Sequence, residues 1–351
     1  MRTWRMGSTP PLSTEGTPTL LEATSRLDLG DAARRLCWSE RELVIGTVSG
    51  RVTRFPVECI SADPATARTH EVLAGEFSGA VTGLATSQGR RLVVGTDRGE
   101  LWAIDTERVE LLTSLPDPFS SCSPLGNRIA ATAGEVLVLI EGADVRFVLS
   151  PVGPVLCATA MSVNEPGIVL GGASGLAWIP SNDDGVQHHI ITPSVTALAS
   201  SAHQPLVAAG DLTGCLHIVD PTTGGGVELT GYPDRIGLVT WVGKEALVAV
   251  AADDEVTVWG TGPDGVADDQ PLLLVGHDEP ITSLAGHPLV EIVLSADITG
   301  RVVLWDLRRG NHPAGSVSLG SSVLTMRWSE TEPLAAASTA AGEVHLLRAF
   351  W

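Results

Sequence analysis

The chain has 351 residues, 44% of them hydrophobic, with 38 glycines and 22 prolines. That apolar content excludes a disordered chain, and the many turn-formers exclude a protein of long helices. With 41 acidic against 22 basic residues the net charge is −19, which argues against nucleic-acid binding, because tracking phosphates needs a clustered positive field.

Residues 1–18 are rich in Ser, Thr, Pro and Gly and have little to bury, so a disordered tail is expected there, followed by a single β domain over 19–351. From Thr19, the segment TLLEATSRLDL reads as one strand. Three short apolar runs follow, Arg35 to Trp38, Leu43 to Gly46 and Arg51 to Phe55, fenced by turn residues. The same arrangement recurs along the chain, through Val81 to Ala85, Phe119 to Ser123, Val155 to Ala160, Val195 to Ser200 and Gly237 to Trp241 as the first runs of later units. The last unit ends with Val323 to Trp328, Leu334 to Ser338 and Glu343 to Ala349. Turn glycines recur at the same place in the units, at Gly50, Gly99, Gly134, Gly175, Gly214, Gly300 and Gly342, with Asp254 filling the sixth place. Eight units are expected, and seven if the weak third or fourth unit is an insertion.

The seventh unit is the most complete. It opens with Gly276-His277, closes with Trp305-Asp306, and holds three runs, Ile281 to Ala285, Glu291 to Ser295 and Arg301 to Trp305. A leading run, Pro271 to Val275, supplies a fourth strand. A lone sheet with two apolar faces cannot bury itself, so such units must stack.

This stretch resembles the WD40 repeat, whose units carry an early Gly-His and a terminal Trp-Asp. The resemblance implies an all-β WD40-type propeller of eight four-stranded antiparallel blades. It also implies a ring closed by the N-terminal strand, Leu20 to Leu29, completing the last blade; open sheet edges invite aggregation. In the family a His, a Ser or Thr, an Asp and the Trp form a buried hydrogen-bonded set. By alignment His277, Ser295 and Trp305 take three of those places, and the Asp place falls on Thr299, with Asp297 two residues earlier. Trp38, Trp241 and Trp328, which end first strands, are expected to fill the wedges between blades.

In such a ring the loops from an outer strand to the next first strand, and from a second strand to a third, share the face that usually binds partners. On these loops the acids outnumber the bases, which are Arg34, Arg35, Arg98 and Arg235. The densest patch is Asp253, Asp254, Glu255, Asp278, Glu279 and Asp297. A negative potential there would steer a basic protein segment. On the opposite face, Arg308 and Arg309 stand out against the acidic background.

The five cysteines include no CxxC pair, and Cys37, Cys122 and Cys157 fall in first strands, where a thiol serves as a small apolar side chain. A reducing, cytoplasmic setting is expected. No apolar run approaches the length of a membrane-spanning helix, so no membrane contact is expected. There is no GxSxG, HExxH or phosphate-loop motif and no calcium loop, so neither a cofactor nor a metal is expected. His188 and His189, near Asp183 and Asp184, are the one adjacent histidine pair. The resulting expectation is a non-catalytic scaffold that binds protein partners through basic segments. The alternative is a propeller enzyme of lactonase or lyase type, with His and carboxylates around the central channel.

Overall fold

The computed structural model describes residues 20–39, 42–56, 72–86, 91–105, 108–181, 188–190, 194–244, 247–262, 265–266 and 270–351. The expected N-terminal tail, Cys59, Asp183 and Asp184 lie outside the described residues, and of the His188–His189 pair only the backbone is described.

Eight antiparallel sheets follow one another along the chain, each of four strands, with a short extra pairing on the sixth. Their inner strands are Ala33–Trp38, Val81–Thr86, Phe119–Leu125, Val155–Met161, Val195–Ser200, Leu238–Val242, Ile281–Gly286 and Val323–Trp328. Each inner strand lies beside the inner strand of the next sheet, and the last lies beside the first. The sheets are therefore eight blades around a central channel, which excludes a ring of seven.

Burial across each blade explains its sequence. Second strands such as Leu92–Thr96 and Ile292–Asp297 are buried at every position, because both faces of the sheet press on neighbouring blades; such strands read as unbroken apolar runs. The outer strands Val109–Ser114 and Asp144–Leu149 are largely exposed and alternate in burial. The core is divided among the interfaces between blades. Trp305, for example, packs with Val242, Ala249 and Val258 of blade 6, and Phe55 and Leu36 of blade 1 pack with Leu334, Ala336 and Leu346 of blade 8.

The ring closes through the first strand in the chain. Leu20–Asp28 pairs antiparallel with Glu343–Phe350, with a bulge between Ala23 and Ser25, and forms the outer strand of blade 8. The run leading into the seventh unit behaves likewise: Leu272–Leu274 pairs with the third strand of blade 6. It is thus the outer strand of the preceding blade and not a fourth strand of its own unit, whose outer strand is Pro313–Ser318.

The inner-strand tryptophans bridge blades by hydrogen bonds as well as by packing. Trp38, Trp241 and Trp328 donate their indole N–H to the carbonyls of Arg327, Ala199 and Ala285, each on the inner strand of the preceding blade, at 3.0, 2.9 and 3.1 Å.

Turns between second and third strands are held against the following loop. Leu115 donates its N–H to Gly99 O and Leu319 to Gly300 O. Both glycines have positive φ, 75° and 89°, and a Cβ at either would collide with the Leu115 or Ser321 carbonyl. In the sixth blade the positive-φ position is Asp253, at 55°, and not Asp254. The strands pair directly at Ala252 and Glu255, so the turn has two residues and its strained position is the first of them; Asp tolerates that conformation better than most side chains.

Candidate interaction face and its buried support

Blade 7 builds its face from a buried chain of hydrogen bonds. Trp305, fully buried, donates its indole N–H to Ser295 Oγ at 2.7 Å. Ser295 Oγ lies 2.7 Å from His277 Nε2, and His277 Nδ1 lies 2.8 Å from Asp297 Oδ2. With the Nδ1 proton on His277, Ser295 donates to the ring and the ring donates to the carboxylate, so every polar atom of the chain is satisfied.

The carboxylate in this set is Asp297 and not the Thr299 position assigned by alignment. Asp297 ends the second strand, so its side chain turns inward under the loop, and Thr299 serves as a donor to it. Asp297 Oδ1 accepts the N–H and the hydroxyl of Thr299, at 2.9 and 2.6 Å, and the N–H of Arg301 at 3.1 Å. Burial alone would raise this carboxyl, but the donors Thr299, His277 and Arg301 outweigh it and hold it below its ordinary value.

Blade 5 carries a parallel set. Asp211, fully buried, accepts from the Thr213 N–H and hydroxyl, the Cys215 N–H and His217 Nε2, at 2.8, 2.8, 2.9 and 2.9 Å. Here the histidine comes from the third strand instead of the preceding loop. Burial is again outweighed by the His217, Cys215 and Thr213 donors, so Asp211 also stays below its ordinary value. A signal for both sets was present in the sequence as the repeated DLTG and DITG, residues 211–214 and 297–300.

These positions change the membership of the acidic face. Asp297 is 2% exposed, so it supports the loop and presents no charge to a partner; Asp211 is withdrawn for the same reason. Asp253, Asp278 and Glu279 are exposed, and Asp254 and Glu255 half-buried. The structure joins these five, because the Ile281 N–H, just past the loop bearing Asp278 and Glu279, bonds to the Asp253 carbonyl at 2.8 Å. Burial first, with Asp254 and Asp253 adding to it, pushes the Glu255 carboxyl up. Arg301 comes within 3.9 Å of Asp278, whose side chain is 96% exposed; a pair so wet neutralises little.

Arg34 and Arg35 are not loop residues, since both lie on the inner strand of blade 1. Arg308 and Arg309 are engaged: Arg308 donates from Nε and Nη2 to the two oxygens of buried Asp306 at 2.7 and 2.8 Å, and Arg309 Nε lies 3.1 Å from the same carboxylate. The Asp of the Trp-Asp dipeptide is thus an anchor for the short 3-10 turn Leu307–Arg309. Cys122 and Cys157 are pushed up to about 12 by burial, which keeps them as thiols of low reactivity. Among the described residues no three His, Cys, Asp or Glu side chains gather as a metal site.

No family model matches the chain. It is 27% identical over 130 residues to the WD repeat and FYVE domain-containing protein 2 of Caenorhabditis briggsae, a match spanning 36% of this chain and 30% of the relative's length. Among solved structures it is similar to the Dos1 propeller, at TM-score 0.75 and 14% identity over 93% of this chain and 95% of that one. It is also similar to the C-terminal WD40 domain of Sif2, at TM-score 0.73 and 17% identity over 95% and 99%. At these identities the likeness is one of fold.

Proposed function

We propose that this chain, an eight-bladed propeller of the WD40 type, is a non-catalytic platform that docks a basic segment of a protein partner on its loop face at blades 6 and 7. The observation that carries this reading is the cluster of Asp253, Asp254, Glu255, Asp278 and Glu279, joined across two blades, against which the described residues set the weak Arg301–Asp278 pair at 3.9 Å. Such a field speeds encounter with a cationic segment and orients it, while the rigid blades beneath avoid an ordering cost on binding. The fold is one commonly used for protein interaction. The enzyme alternative finds less support, since the eight inner strands contain no His, Asp or Glu, and His203, which lines the channel cavity from a connecting loop, has its Nε2 3.1 Å from the Pro288 carbonyl with no carboxylate beside it among the described residues. A cytoplasmic, reducing location fits the described cysteines, all free thiols.

The test is retention of partners from the protein's own cell lysate at low and raised salt, followed by mass spectrometry. We expect a stoichiometric partner with a Lys/Arg-rich segment that falls away as salt rises, since surface charges are screened within about 8–10 Å at 0.1–0.15 M. Neutralising the patch with Asp254→Asn, Asp278→Asn and Glu279→Gln, together with Asp253→Asn, which suits the positive φ, should abolish retention without lowering the melting temperature. Retention unchanged by these substitutions would refute the acidic face as the docking surface.

A further inference from the structure

In a chain of net charge −19, the inner strands have the opposite sign. Their charged residues are Arg34, Arg35 and Arg327, with no Asp or Glu on any of the eight. Ring closure places the inner strand of blade 1 beside that of blade 8, so these arginines share one side of the channel.

Arg35 is committed to structure: its Nε donates to Thr82 O at 2.7 Å and its Nη2 to Ser120 O at 3.4 Å, on the inner strands of blades 2 and 3. Arg327 is not. Its described hydrogen bond is a long one, 3.4 Å, to the carbonyl of its neighbour Met326. The guanidinium is open to solvent within the channel, yet surrounding protein holds it below its ordinary value, and among the described residues no carboxylate pairs with it. Among the described residues, then, most of its donors are left free to meet an anion's oxygens.

Arg327 borders a cavity of about 360 Å³ that spans the channel, lined by Ser123, Thr159, Ser200 and Thr240 from the inner strands of blades 3 to 6 and by His203. Gly243 and Pro288, from connections between first and second strands, line it too. It therefore opens on the face opposite the acidic patch.

We propose that this cavity is an oxyanion site for a small molecule bearing a phosphate or carboxylate group. Arg327 supplies the planar fork that matches either group in two parallel bonds, and the hydroxyls make the rest of the lining polar, Ser200 and Thr240 already donating to the Ala160 and Trp241 carbonyls. The volume lies within the range of small-ligand pockets and leaves no room for a folded partner. The acidic patch faces away, so one molecule presents a basic-segment surface on one side and an anion pocket on the other.

The test is titration of the full chain with inorganic phosphate and with citrate, in zwitterionic buffer of low chloride, by calorimetry and by thermal melting. We expect saturable binding of at least one of them, with a melting temperature that climbs with ligand concentration. The better ligand tells phosphate from carboxylate. Arg327→Gln should weaken binding at least tenfold, while Arg235→Gln, an exposed control on the acidic face, should leave it unchanged. Should the Gln variant fail to fold, Arg327→Lys keeps the charge but loses the fork, and weaker binding by it carries the same support. No saturable binding of either anion, or equal binding by the Arg327 variants and the wild type, overturns the proposal.

Discussion

Asp297 shows how one side chain can be withdrawn from a surface and spent on the frame. Its carboxylate collects His277, the two Thr299 donors and the Arg301 N–H. Removing the ring would leave a buried carboxylate and Ser295 short of partners and open a void. His277→Ala should therefore cost about 2–4 kcal/mol, read as a lower denaturation midpoint. Because Asp297 and Asp211 sit below their ordinary value, the stability they give is full above about pH 4, the unfolded carboxyl range, and is lost as pH falls through their folded values. His287 acts in a higher window. It is 5% exposed, its ring centroid lies 5.0 and 5.2 Å from those of Trp328 and Trp351, and its Nδ1 accepts from the Leu289 and Val290 N–H groups. Burial lowers it to about 4. The unfolded chain takes up the proton first, so stability is full above about pH 6.5 and declines as pH falls from there toward 4. His287→Asn, which keeps an acceptor for the turn, should flatten the fall of melting temperature across that window.

At the scale of elements, the joint between the chain ends is the decisive one. Leu20–Asp28 covers the edge of Glu343–Phe350 and contributes Leu21 and Leu27 to buried clusters at both interfaces of blade 8. Deleting residues up to Asp28 would bare an eight-residue edge strand and uncover those clusters. We expect such a protein to aggregate or to melt at least 10 °C lower, measured by light scattering and thermal denaturation. The indole bonds of Trp38 and Trp328 cross the two interfaces of blade 8 from the channel side, so that blade is clasped at both its outer and inner margins.

For the whole molecule, both proposed sites rest on a separation of charge. Carboxylates gather on the loop face at blades 6 and 7, whereas the inner strands around the channel hold arginines without acids. The two proposed sites answer to different variants, because neutralising Asp254 and Asp278 leaves the channel untouched and changing Arg327 leaves the loop face untouched.

The local pattern was enough to foresee an all-β propeller with its turns and closing strand. A blade is built from runs adjacent in sequence, and second strands buried on both faces leave an unbroken apolar trace. The strand count followed from the same repetition, and the structure chose eight over seven by pairing even the weak third and fourth units as full sheets. What spacing along the chain could not decide was direction. Asp297 and Thr299 share one turn, and only the packed blade shows that the aspartate points inward and the threonine serves it. Arg34 and Arg35 stand far from Arg327 in sequence, and their common place in the channel exists only once the ring has closed. Periodicity is a local property of the chain; which side chains converge on a buried bond, a rim or a channel is set by how distant blades meet.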